Sequence, residues 1–272
     1  MMNPDLPIGM FDSGVGGLTV LREVMKQLPR ESTIYFGDTA RVPYGSKSRD
    51  VIVRFSLEIS QFLLQEKVKM LVVACNTASA FALSALRSRF DVPIIGVIEP
   101  GALAAIKTTK TDRVGVIGTE GTIESQAYTE AIHHLNPTIE VFGQACPLIV
   151  PLVEEGWLEK PLALDVVKEY LLPLLENRID TLVLGCTHYP LLKNLLSRVA
   201  GHSVKLIDSA EETARAVNLK LKENHLEARS TGRSGLRQFY VSDAPERFEK
   251  TGQRFLGQPI PGVKRLDIGT WL

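Results

Sequence analysis

Two of the three cysteines in this 272-residue chain sit in matching settings. VKMLVVACNTAS (68–79) and IDTLVLGCTHYP (179–190) each run from a polar start through an apolar stretch to a cysteine, then to hydroxyl or amide residues. Cys75 and Cys186 stand 111 residues apart, close to one domain's worth of chain. Either cysteine alone is open to a packing role, because cysteine is among the most buried residue types. Two in the same half-symmetric context point to chemistry. Thiols on opposite faces of a stereogenic carbon can exchange its proton, one as base and the other as acid, and so invert the centre. A helix N-terminus following each cysteine would stabilise thiolate and bring its pKa down from ~8.5. A disulfide is the competing role, disfavoured in a reducing compartment. Zinc would need more ligands than Cys75, Cys186 and His188, and no C-x-x-C spacing accompanies them. Cys146, in ACPLIVP, lacks this context and reads as a core residue.

The elements that position these residues are short apolar runs alternating with longer segments of helical period. Strands are expected at IGMF (8–11), TIYFG (33–37), MLVVA (70–74), PIIGVI (93–98), RVGVIG (113–118), IEVFG (139–143), TLVLG (181–185), VKLID (204–208) and QFYVS (238–242). Several are continuously apolar, as parallel strands covered on both faces are. Between Ser48 and Lys67, Val51, Phe55, Ile59, Phe62 and Leu63 fall on one helical stripe. The alternation predicts an α/β fold with mostly parallel sheets flanked by helices. In such sheets ligands bind beyond the carboxyl ends of the strands. The residues there form a compact polar set: Asp12 and Ser13 before the turn GVGG; Asp38, then Tyr44 and Gly45; Asn76 and Thr77 beside Cys75; Thr119 and Thr122; Thr187 and His188 beside Cys186. They suit a small zwitterion.

Other chemistries find less support. DSGVGGLT (12–19) follows a strand, but position 19 is Thr, so the dinucleotide pattern G-x-G-x-x-G is incomplete, and only Asp38 offers a ribose-binding carboxylate. The turn more simply presents backbone N–H groups to a carboxylate. No G-x-x-x-x-G-K-[ST] occurs. Lys+Arg and Asp+Glu both number 31, which removes the main argument for nucleic acid or anionic membrane as an obligatory partner. Arg229, Arg233 and Arg237 cluster in a polar stretch read first as a solvated loop and only secondly as an anion contact. With no long apolar span, no secretory signal pattern at MMNPDLPIGMF and few cysteines, a soluble cytoplasmic protein is expected.

GMFDSGVGGLTVL, YFGDTARVPYG, VVACNTASA, GVIEPG, GVIGTEGTI, CPLIVPLVEEG and LGCTHYPLL, spread over most of the chain, strongly resemble segments of the bacterial glutamate racemases of the aspartate/glutamate racemase family. The resemblance implies two similar α/β domains, 1–97 plus 208–272 and 98–207, with the active site in the cleft between them. It implies interconversion of L- and D-glutamate by two-base proton transfer at Cα, supplying D-glutamate for peptidoglycan. Cys75 is then expected to deprotonate D-glutamate and Cys186 L-glutamate. Asp12–Ser13, Tyr44–Gly45, Asn76–Thr77 and Thr187–His188 match the substrate-contacting pairs, and Thr119 joins them from its strand end. Asp12 would hold the substrate ammonium and His188 would assist proton traffic at Cys186, although alone it also reads as a structural histidine. Glu154 resembles an accessory acid near Cys186; Glu155 is the alternative, and a solvated position is open to both. No cofactor is expected: no lysine sits in a strand-end motif to form a Schiff base, Lys47 and Lys193 being nearest and expected on helices, so site electrostatics would have to stabilise the carbanion. A homodimer is the family's suggestion. Three rivals remain: an aspartate racemase, a hydrolase or transferase with Cys186 as nucleophile, and a binding module using the arginine cluster.

Overall fold

Apolar runs bounded by polar or glycine-bearing turns become strands, and segments of helical period between them become helices. The computed structural model describes residues 3–229 and 234–267. Ten strands follow in chain order: β1 (Ile8–Asp12), β2 (Thr33–Gly37), β3 (Met70–Val73), β4 (Ile94–Gly96), β5 (Arg113–Gly118), β6 (Glu140–Ala145), β7 (Thr181–Gly185), β8 (Lys205–Asp208), β9 (Arg237–Val241) and β10 (Lys264–Arg265). They form a six-stranded sheet in the order β10-β9-β2-β1-β3-β4 and a four-stranded sheet in the order β6-β5-β7-β8. Every strand pair is parallel. β1, β2, β3 and β7 are buried along their whole length, the burial their unbroken apolar sequences predict for strands covered on both faces.

The strand order decides where a ligand can enter. From β1 the chain moves outward to β2, then jumps back to β3 on the other side of β1. The same reversal separates β5 from β7 in the smaller sheet. A crevice opens at the carboxyl ends of the strands where the winding direction reverses. One crevice therefore lies between Asp12 and Cys75, the other between Thr119 and Cys186.

One contiguous apolar cluster runs from β1 and the helix Leu18–Gln27 through the helix Ile98–Thr108 to β5 and β7. A second fills the other face of the larger sheet. The helix Ser209–Glu223 packs on both Leu18–Gln27 and Ile98–Thr108, tying the two sheets together. Asp208 caps it, accepting from the backbone N–H of Ala210 at 3.0 Å.

Some expectations change. The run PIIGVI yields only three strand residues, because Ile98 already starts the helix that leads away from the sheet. In the helix Arg49–Gln65 it is Ile52 that is fully buried, with Val51 half-buried beside it. Lys47 lies in a turn rather than a helix, while Lys193 opens the helix Lys193–Ala200 and pairs with Asp208 and Glu211. Of the arginine cluster, the two described members, Arg229 and Arg237, differ in setting. The half-buried Arg237 guanidinium donates to the carbonyls of Pro29 and Glu31, Arg229 is exposed, and Arg233 lies outside the described residues.

Candidate active site

The two crevices meet. Loops from both sheets enclose a cavity of about 60 Å3 lined by Ser13, Gly14, Val42, Pro43, Tyr44, Gly45, Cys75, Asn76, Thr77, Thr119, Val150, Glu154, Cys186, Thr187 and His188. Asp12 lies just below, fully buried beside Cys75. The structure thus places Ser13, Tyr44, Gly45, Cys75, Asn76, Thr77, Thr119, Glu154, Cys186, Thr187 and His188 around one cavity, with Asp12 beneath it, whereas Asp38 and Thr122 do not line it.

Close approach of the loops depends on glycine. A Cβ on Gly16 would come within 2.2 Å of Thr187 Oγ1 and 2.5 Å of His188 Nδ1, so only glycine lets the first turn meet the Cys186 loop. Thr19 then ties the two loops together, its hydroxyl donating to the carbonyls of Gly16 at 2.9 Å and Thr187 at 3.0 Å. Across the mouth, the backbone N–H of Gly121 donates to the Gly45 carbonyl at 2.9 Å.

Cys75 is the N-cap of the helix Asn76–Arg89, where its Sγ accepts from the Ala78 N–H at 3.5 Å. Ser13 Oγ lies 3.9 Å from the same sulfur. Cys186 has a different setting. It is followed by a single 3-10 turn, Tyr189–Leu192, and not by a full helix N-terminus. The expectation that both thiols have lowered pKa values is overturned. Burial, with the Asp12 carboxylate adding to it, pushes Cys75 up to about 12 despite the capping N–H groups. Cys186 is pushed still further, by burial first and then by the charges of Cys75 and Asp12. Desolvation of a buried thiolate here outweighs the few N–H groups aimed at it. All three cysteines, Cys146 included, are buried free thiols, so no disulfide joins the pair.

His188 stands between Cys186 and Glu154. Its Nδ1 is 3.9 Å from Cys186 Sγ and its Nε2 is 3.1 Å from Glu154 Oε1. Phe255 packs edge-on against the imidazole at 5.0 Å. The bond to His188 is the main cause holding Glu154 below the usual carboxylate range. Glu154, at the end of the helix Ile149–Glu154, is thus the acid in contact, whereas Glu155 faces an adjoining outer groove. Arg254 fixes this helix end by donating to the carbonyls of Val153 and Glu154 at 3.0 Å each. No local signal in the sequence marks Arg254 or Phe255.

The rest of the wall is polar. The hydroxyls of Thr77, Thr119 and Thr122 form a triangle with sides of 2.9, 3.0 and 3.3 Å. The Tyr44 hydroxyl donates to Asp38 Oδ2 at 2.5 Å, which leaves only the backbone of Tyr44–Gly45 to face a ligand. Arg41 also donates to Asp38 Oδ2 and Ser242 donates to its Oδ1, so this fully buried carboxylate is engaged by protein groups and not free for a ribose. Two buried side-chain atoms near the cavity, Asp12 Oδ1 and Asn76 Nδ2, make no hydrogen bond of normal geometry, although the Cys75 thiol and the Gly17 N–H lie beside the Asp12 carboxylate. An acceptor for an ammonium and a donor for a carboxylate are what an amino acid requires. Burial raises the Asp12 pKa, opposed by the charge of His188 and the N–H of Gly14. Among the described residues, no group of three or more His, Cys, Asp or Glu side chains is placed to hold a metal ion.

Residues 8–217 match the Asp/Glu/hydantoin racemase family. The chain belongs to that family. It is similar to the glutamate racemase of Geobacter metallireducens, with 55% identity over 96% of each chain. The crystal structure of a glutamate racemase isoform from Bacillus anthracis superposes with a TM-score of 0.94 at 43% identity, covering 97% of this chain and 98% of that one. The Francisella tularensis glutamate racemase, solved in complex with D-glutamate, gives 0.92 at 38% identity over 98% and 100%. As a member of this family the chain is an isomerase of the amino-acid racemase class, with the two-domain α/β fold of these relatives. Among the described residues no helix is long and apolar enough to cross a membrane.

Proposed function

We propose that this chain interconverts L- and D-glutamate without a cofactor, by proton transfer between two thiols on opposite faces of Cα. The observation that carries this reading is that Cys75 and Cys186 line one small cavity from the switch points of two separate sheets. The substrate ammonium is held by Asp12 Oδ1, and its carboxylates by Asn76 Nδ2, the threonine hydroxyls and the backbone N–H groups of Gly45 and Thr187. Ser13 steadies Cys75, and His188, oriented by Glu154, serves Cys186. Cys75 takes the α-proton of D-glutamate while Cys186 delivers one to the opposite face; the roles exchange for L-glutamate. Buried thiols of raised pKa make strong bases once ionised, and neutralising Asp12 with the substrate ammonium removes a charge that opposes their ionisation.

Domains 1–97 plus 208–272 and 98–207 close on the substrate, in a cytoplasmic homodimer that needs neither nucleic acid nor membrane and supplies D-glutamate for peptidoglycan. The relatives' names and the bound D-glutamate of the Francisella protein support glutamate over aspartate. A second reading rests on the Cys186–His188–Glu154 relay, whose order is that of a cysteine nucleophile activated by a histidine. One experiment separates them. Incubation with D-glutamate in D2O, without pyridoxal phosphate, is expected to bring optical rotation to zero with deuterium at Cα, and Cys75→Ser abolishes racemisation. Folded protein that neither racemises nor exchanges glutamate refutes the proposal. A covalent adduct on Cys186 with Cys75 dispensable establishes the nucleophile reading.

A further inference from the structure

Tyr128 lies on the helix Ala127–Leu135, more than 50 residues from either cysteine, and is buried to 3% exposure. Its ring occupies a slot made by two absent side chains. A Cβ on Gly101 would come within 3.2 Å of the ring, and one on Gly185, immediately before Cys186, within 3.1 Å. The slot carries the phenol across to the other sheet, where it donates to Asn76 Oδ1 at 2.8 Å. Burial pushes the phenol pKa up, so the O–H remains a donor. Ser209 lies beside the same hydroxyl, but its own O–H donates to the Leu184 carbonyl; towards Asn76 the phenol donates, and of the two ends of that amide only the oxygen can accept. The amide is therefore locked in one sense, its Nδ2 left without a protein partner in a residue that lines the cavity.

We infer that Tyr128 is a positioning residue for racemisation: its hydroxyl fixes the Asn76 side chain so that Nδ2 is presented to a substrate carboxylate. The inference rests on the racemase reading and adds a coupling between the sheet that carries Cys186 and the residue that follows Cys75. Without the hydroxyl the amide is free to flip and offer its oxygen, which repels a carboxylate.

The test uses Tyr128→Phe, which keeps the ring in its slot and deletes one oxygen. KM for both enantiomers is expected to rise about tenfold, the effect of one hydrogen bond to a charged group, while kcat changes less than about threefold. Asn76→Ala should raise KM similarly, and adding Tyr128→Phe to it should change nothing further. A purely structural role would lower the melting temperature and give additive losses in the double variant; additivity, or an unchanged KM in Tyr128→Phe, overturns the inference. If Tyr128→Phe does not fold, Asn76→Asp decides, since it keeps an acceptor for the phenol and has no donor: wild-type KM in that variant refutes the role. Wild-type protein inactive on glutamate in the same assay would fell the racemase reading itself, and this inference with it.

Discussion

Replacing Gly16 by alanine tests whether the two loops meet as described. The added methyl would sit 2.2 Å from Thr187 Oγ1 and 2.5 Å from His188 Nδ1. Ordinary contact begins near ~3.4 Å, so the Thr187 hydroxyl and the His188 ring must each be displaced by about 1 Å, or the two loops must part. Overpacking of this kind costs about 1–3 kcal/mol of stability, seen as a fall of several degrees in Tm. The larger effect is on function, because a displacement of ~1 Å in a positioned group lowers turnover by about 100-fold. Racemisation has an equilibrium constant of one, so kcat/KM must fall equally from the L and the D side. Circular dichroism of glutamate solutions at 25 °C, started from each enantiomer, measures both rates, and thermal melting of the same sample shows that the protein is folded. An active, wild-type-like Gly16→Ala enzyme would refute the loop contact. So would a loss of activity that vanishes once the fraction unfolded is allowed for.

Two further outcomes follow from the charges. With Cys75 at about 12 against an ordinary 9.0, its alkylation by iodoacetamide at pH 8 should be roughly 1000-fold slower than that of a simple thiol, rising about tenfold per pH unit. Mass spectrometry of the Cys75 peptide measures this, and a plateau near pH 9 would contradict it. Asp180 is pushed up by burial, but bonds from Thr109, Lys110, Thr111 and Thr181 outweigh this and hold it at about 2, below its ordinary 3.8. A depressed carboxylate stabilises the fold above its unfolded pKa, and the contribution is lost as pH falls from about 4 to 2. Asp180→Asn should therefore be less stable than wild type at pH 7, with the gap closing below pH 3 in denaturant titrations.

The site was legible where chemistry and chain position coincide. Cys75, Asn76, Cys186 and His188 all follow apolar strands directly, so local pattern alone puts them at carboxyl ends. The choice between Glu154 and Glu155 turns on the phase of a six-residue helix, which no periodicity in so short a segment determines. Tyr128, Arg254 and Phe255 act from helices far along the chain, and their relevance appears only when the sheets are brought together. The sign of the thiol shifts is hidden from the sequence for the same reason: a capping N–H is a local feature, whereas depth of burial and proximity to Asp12 are products of the whole fold. β10 leaves no signal in the sequence, because two residues carry no alternation.

The order of strands also bears on how the chain reaches its native state during synthesis. All four strands of the smaller sheet lie between residues 113 and 208, so that sheet has its full set of partners as soon as this stretch is made. The larger sheet waits: Thr33 in β2 pairs with Arg237 in β9, some 200 residues later. Until then β2, buried along its whole length in the finished protein, is a bare apolar edge, the kind of surface that recruits strands from other chains. Ribosomal delivery of β9 is thus the step that caps this edge, and chains cut short before β9 are the ones expected in inclusion bodies.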